Sequence, residues 1–165
     1  MQVPDSFSIR PATVDDVPLI LSLIRELADY EKLLHAVVAT EDDLKESLFG
    51  ARPAAEVVLG FEGAKPVGYA LFFSTFSTFV GKPGIYLEDL YVRLDARRKG
   101  YGRALLLHLA QLARERGCGR LEWSVLDWNE PSINFYKSLG AVPLDDWTVF
   151  RLDSTALEAL VRECQ

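Results

Sequence analysis

Cysteine and histidine are scarce: Cys118, Cys164, His35 and His108 are the whole supply. None of the four stands at a spacing that closes a metal site or a redox pair, so no metal is expected. Cys118 follows the helix-ending Gly117 with no histidine near it in sequence, and reads as structural rather than nucleophilic. Long apolar runs are missing, and the opening MQVPDSFSIR lacks the basic-then-apolar layout of a secretion signal. An excess of positive charge is missing too. The 18 Lys and Arg stand against 24 Asp and Glu, a formal net charge of −6. Nucleic-acid binders normally carry a broad basic face instead. These absences point to a reduced, cytoplasmic setting with no nucleic-acid or membrane partner. An acidic surface attracts positive small molecules, which is compatible with a cationic substrate.

What is present is one domain's worth of chain. With 165 residues, 49% hydrophobic and 25% charged, a single domain over 1–165 with a sizeable core is expected. Linkers, repeats and low-complexity tracts are not found. Ser8–Ala12 reads as a first strand. Thr13 then starts a helix, with Asp16 three residues on and Val17, Leu21, Ile24 and Ala28 along one stripe. A second helix starts at Thr40 and stops at Gly50. A hairpin follows, turning at Gly63–Pro66 into a strand from Val67, and Gly84–Val92 is a further strand. Leu105, Leu109, Leu112 and Ala113 mark a helix that Gly117 stops. Arg120–Leu126 is a strand. Asn129 caps a short helix with Pro131 in its first turn and Gly140 at its end. Thr148–Leu152 reads as a last strand, and Ser154 caps a C-terminal helix. The pattern is a mixed α/β chain, with Gly84–Val92 and Arg120–Leu126 as parallel neighbours.

One loop runs against the acidic balance. Arg97–Ala104, RRKGYGRA, carries four cations and two glycines in eight residues, after a strand and at a helix start. The first N–H groups of a helix have no internal partners and sit at the positive end of its dipole. Gly100 and Gly102 clear side chains from that end, and Arg97, Arg98, Lys99 and Arg103 add charge, which suits an anion such as a pyrophosphate. The plain alternative is a helix start with a tight turn and solvated arginines. A dinucleotide fingerprint would need Gly where Leu105 stands, and a P-loop would need Gly-Lys-Ser/Thr at its end.

The same stretch matches the Arg/Gln-x-x-Gly-x-Gly/Ala signature of the GNAT superfamily of N-acetyltransferases, and the resemblance runs from about Ile9 to Leu152. IRPAT at the first strand, ELADYEKL closing the first helix, IYLEDLYV, LDWNEPSINFYKSLGA and the late Trp147 resemble its diamine (spermidine/spermine) and thialysine N-epsilon-acetyltransferase branch. The resemblance implies an α+β GNAT fold: a mixed, mostly antiparallel sheet with one parallel strand pair and helices on both faces. It implies acetyl-CoA as acetyl donor, a primary amine of a small molecule as acceptor, and a homodimer. Leu90, Tyr91 and Val92, the loop Arg97–Arg103 with Tyr101, and Asn129, Ser132 and Tyr136 fall on coenzyme A contacts. Tyr30, Glu31, Glu88, Glu122, Trp123, Ser124 and Asp145 (or its neighbour Asp146) fall on amine contacts. One departure bears on the substrate. The polyamine enzymes place an acidic residue in the loop before YLED, where this chain has STFSTFVGKPG with Ser77 and Thr78. The thialysine enzymes are similar to this chain in having a small polar residue there and in the spelling VLDWN.

The chemistry implied is attack of a free amine on a thioester. An alkylammonium titrates near roughly 10.4, so about a few molecules in ten thousand are free amine at pH 7. Glu88 is the candidate base, directly or through water, or else an ammonium anchor; strand alternation turns its neighbour Asp89 to the other face. Tyr136 is the candidate acid for the departing sulfur, or else a helix tyrosine packed on Phe135 and Leu139. Backbone N–H groups near Tyr91 or Val92 would serve the oxyanion. The aromatic run Phe72, Phe73, Phe76 and Phe79 exceeds what one strand face buries; core packing takes part of it, and a substrate wall or a dimer contact would take the rest. Acetylation of protein lysines, and a non-catalytic acyl-CoA-binding module, are the competing readings.

Overall fold

Five strands pair in chain order into one sheet: β1 (Phe7–Pro11), β2 (Glu56–Glu62), β3 (Lys65–Ser77), β4 (Lys82–Val92) and β5 (Leu121–Trp123). The first three ladders are antiparallel and β4–β5 is parallel, so the sheet is mixed and mostly antiparallel as expected. The computed structural model describes residues 3–163, which leaves Cys164 outside the described residues. The chain forms two compact units. The first runs to Ser124 and holds the sheet with helices α1 (Val17–Tyr30), α2 (Glu41–Phe49) and α3 (Tyr101–Glu115). The second begins at Val125 and holds α4 (Glu130–Ser138) and α5 (Ser154–Glu163).

In the first unit both faces of the sheet are covered, which is why Val57, Val58 and Leu59 are buried in succession rather than in alternation. Ile20, Leu23 and Leu48 of α1 and α2 pack with Val57, Leu59, Tyr69 and Tyr91 on one face. On the other, α3 buries Leu105, Leu106, Leu109 and Ala113, and Arg116 at its end lies over the Phe72 ring while pairing with Glu56. Local chemistry sets the helix starts. Asp16 takes the Thr13 N–H at 2.8 Å and two Arg10 guanidinium bonds at 2.7 and 2.8 Å, tying β1 to the head of α1 and holding its carboxyl well below the usual range. Thr40 caps α2 by accepting the Asp43 N–H at 3.2 Å.

Four expectations change. Thr13 opens a 3-10 turn, Val14–Asp16, and α1 proper starts at Val17 with proline in its first turn. The strand expected over Arg120–Leu126 is only Leu121–Trp123. The expected last strand, Thr148–Leu152, is irregular and exposed, because β-prone residues without a ladder partner do not hold a strand. Asp153, not Ser154, caps α5: its Oδ1 accepts the Ala156 N–H at 2.9 Å, and Ser154 is already helical.

Candidate active site

The site begins where the β4–β5 ladder stops. β4 pairs with β3 as far as Val92, but with β5 only at Ile85, Tyr86 and Leu87. Beyond Leu87 the edge of β4 that faced β5 has no ladder partner among the described residues. An unpaired strand edge leaves backbone groups for a ligand to pair with, although here the Val92 carbonyl is already taken by Arg97 Nε at 3.0 Å. The departure coincides with a bulge. Leu71 faces Asp89 while Phe72 faces Leu87, so Glu88 is the extra residue.

The bulge interrupts the regular alternation on which the expectation for Glu88 and Asp89 rested. Alternation fails where one partner residue faces two, and the Glu88 charge helps to raise the Asp89 carboxyl. Burial is the larger cause of that rise, and the Tyr69 hydroxyl, donating to Asp89 Oδ2 at 2.8 Å, opposes it. Glu31 sits near the same carboxylate. Burial and then the Asp89 charge push its own carboxyl up. Burial first, and then the Asp89 charge, hold the Tyr69 phenol well above its ordinary value. Glu31 is delivered by the end of α1, where Lys32 takes a left-handed φ of 63° and Leu33 N–H closes on Ala28 O at 2.7 Å. Glu88 itself is exposed.

After β4 the chain turns through Arg93, whose guanidinium grips Glu26 at 2.8 Å and the Pro66 carbonyl at 3.0 Å. Arg98 (φ 65°) and Gly100 (φ 87°) are left-handed and bend the loop into α3. Ala104 N–H donates to Gly100 O at 3.0 Å as the first helical bond, so the N–H groups of Tyr101, Gly102 and Arg103 have no helical acceptor. A Cβ at Gly102 would meet only Val92 Cγ2, at 3.7 Å, which sets this helix start against the open end of β4.

The four loop cations are not alike. Lys99 pairs with Glu62 at 2.9 Å. Arg97 donates Nε–H to the Val92 carbonyl and lies over the Tyr30 ring at 4.2 Å and the Tyr91 ring at 5.7 Å. Arg98 and Arg103 are exposed. Tyr101 is buried, its ring stacked on Phe7 at 4.4 Å, so only its backbone reaches toward a ligand. The structure thus brings Tyr30, Tyr91 and Arg97 together, and Glu31 and Asp89 around Tyr69, with Glu88 acting on Asp89.

On β5, Glu122 is paired with Arg120 at 2.7 Å and Trp123 is half-buried; just after it, the Ser124 hydroxyl lies 2.6 Å from that of Tyr86 on β4. Ser77, at the end of β3 before the YLED segment, is buried. Its hydroxyl accepts from Val80 N–H and from Arg120 at 3.3 Å each, so it serves the hairpin turn. The aromatic run divides: Phe72 is core, Phe73 stacks on Tyr86, and Phe76 and Phe79 are exposed.

In the second unit, Asn129 is buried and caps α4 by accepting the Ser132 N–H at 3.4 Å. Tyr136 is half-buried with its ring against Phe135 at 5.2 Å, and Asp145 is exposed. Sequence reasoning passed over Tyr69, which the structure ties to Asp89. A polar hydroxyl midway along a strand that is buried on both faces was the available signal, since a buried tyrosine normally finds a partner. Finding Asp89 as that partner required the bulge.

A sheet that opens beside an uncapped helix start offers backbone donors to a thioester arm and to its pyrophosphate, the architecture of an acyl-CoA-dependent transferase. The profile of the acetyltransferase (GNAT) family matches residues 22–141, and the chain belongs to that family and is an N-acetyltransferase. It is 38% identical to the thialysine N-epsilon-acetyltransferase of Caenorhabditis elegans, across 96% of this chain and 99% of that protein. It is 34% identical to the L-ornithine N5-acetyltransferase of Arabidopsis thaliana, across 92% of this chain and 86% of that one. Among solved structures, an integron cassette protein from the mobile metagenome of V. cholerae superimposes with a TM-score of 0.81 at 27% identity, covering 96% of this chain and 99% of its own.

Proposed function

We propose that the protein moves the acetyl group of acetyl-CoA directly to the side-chain amine of a small amino acid of the thialysine or ornithine kind. The observation that carries this reading is the open edge of β4 beyond Leu87, set beside the uncapped start of α3. Leu90–Val92 would hold the pantetheine arm, with an N–H at Tyr91 or Val92 for the oxyanion. The N–H groups of Gly100–Arg103, with Arg98 and Arg103, would hold the pyrophosphate, while Arg97 and Lys99 shape the loop through Tyr30 and Glu62. Asn129 and Ser132 complete the coenzyme contacts.

Tyr136 returns a proton to the leaving thiolate, and Glu88 takes the amine proton or anchors the ammonium. Tyr30, Glu31, the Glu122–Ser124 segment and Asp145 receive the amine. The engagement of Ser77 in the hairpin, and the thialysine and ornithine enzymes among its relatives, support a short amino acid over a long polyamine. The chain acts as one acetyltransferase domain, in support of which the family match runs across Ser124. A cytoplasmic setting belongs to the same reading. Among the described residues no helix is long and apolar enough to cross a membrane. Exposed Phe76, Phe79 and Val80 at the β3–β4 turn favour a homodimer contact.

The test is thiol release from acetyl-CoA with thialysine, ornithine, lysine, putrescine, spermidine, spermine and a histone-like peptide offered separately. The expected result is highest kcat/KM for thialysine or ornithine. Preference for spermine or for the peptide would overturn the substrate assignment.

A further inference from the structure

Tyr69 lies at the centre of the sheet, 0% exposed, where phenylalanine would fill nearly the same space. Among the described residues its hydroxyl donates to Asp89 Oδ2 at 2.8 Å. The Tyr69–Tyr91 register pair and the facing of Leu71 by Asp89 place that carboxylate next to the bulge, on the face where α1 ends. The titratable groups around it are Tyr69 from β3, Glu31 from the end of α1 and Glu88 on its own strand. The Asp89 carboxylate is held by the Tyr69 hydroxyl, whereas Glu26, Glu56, Glu62 and Glu122 are each held by a Lys or Arg. Two half-buried carboxylates in reach of each other repel, and an ammonium brought between them relieves that repulsion.

We propose that Tyr69 is a positioning residue for amine recognition: from the sheet core it fixes the Asp89 carboxylate beside Glu31, so that the cationic end of the substrate meets two oriented carboxylates. This rests on the reading of the chain as an acetyltransferase for a small cationic amine. A hydroxyl donor to an ionised carboxylate favours the charged form, so Tyr69 keeps Asp89 ionised at lower pH than its burial would otherwise allow. Loss of that donor lets the Asp89 carboxyl rise, and amine binding then fails at a higher pH than in the wild type.

The experiment is steady-state kinetics of Tyr69→Phe, which keeps the ring and its packing. KM for the amine should rise roughly tenfold, the order expected for a hydrogen bond to a charged group. kcat should change little, and so should KM for acetyl-CoA, because the interaction is one of uniform binding. The acid limb of kcat/KM for the amine should move to higher pH. In an Asp89→Asn background the Tyr69→Phe change should add nothing. An unmoved amine KM and acid limb, or an equal effect in the Asp89→Asn background, would overturn the proposal. Should Tyr69→Phe not fold, Asp89→Asn alone carries the test, and an unchanged amine KM overturns it. Absence of turnover in the wild type counts against the proposed function instead. The tie is then read by carboxyl 13C NMR of the free protein, where Tyr69→Phe must raise the Asp89 titration; an unmoved titration defeats it.

Discussion

Gly102 separates folding from ligand binding more cleanly than any other residue of the loop. A methyl group there would meet only Val92 Cγ2, at ordinary contact distance, so Gly102→Ala should leave thermal stability within a degree or two of wild type. The same methyl stands among the N–H groups of the first turn of α3, so KM for acetyl-CoA should rise severalfold, measured at saturating amine. An unchanged KM would remove this helix start from the pyrophosphate site. Residue identity made the loop legible in the sequence, because glycines and arginines after a strand carry their own reason. The same reasoning credited all four cations alike. Their division became visible only with Glu62, Tyr30 and Tyr91 in place, two of them far from the loop in sequence. A similar limit holds at Glu88 and Asp89: alternation is the rule for a regular strand, and one inserted residue interrupts it.

At the scale of elements, the energetics lie in which face each helix buries. Leu109 of α3 is 0% exposed and Leu107, two residues earlier, is 47% exposed. Leu109→Ala should cost about 2–5 kcal/mol and Leu107→Ala less than about 0.5 kcal/mol, measured by urea denaturation. Equal costs would mean that α3 is not docked by this face. Caps and stripes were readable in advance: Thr40 with Gly50 bounded α2 correctly, and Asn129 with Gly140 bounded α4. Strand ends were harder, because a strand exists only where a neighbour pairs with it. Leu121–Trp123 stops where β4 bulges away, and Thr148–Leu152 has suitable residues without a ladder. At the C-terminal helix the cap was displaced by one residue, since Asp153 and Ser154 are both able to cap and the backbone chose the aspartate.

For the whole molecule, local basicity inside an acidic chain acquires a physical division. On the proposed reading the start of α3 would meet an anionic donor, while Glu31, Asp89 and Glu88 would meet a cationic acceptor. An acetyl group passing from thioester to amine needs both at once. The account is tested most directly by incubating the protein with acetyl-CoA and thialysine, quantifying free thiol, and locating the new acetyl group by NMR. One thiol should appear for each acetyl group, with the acetyl on the side-chain nitrogen of the amino acid and none retained on the protein. Coenzyme binding without thiol release, or acetyl groups found on the protein's own lysines or on Cys118, would contradict it.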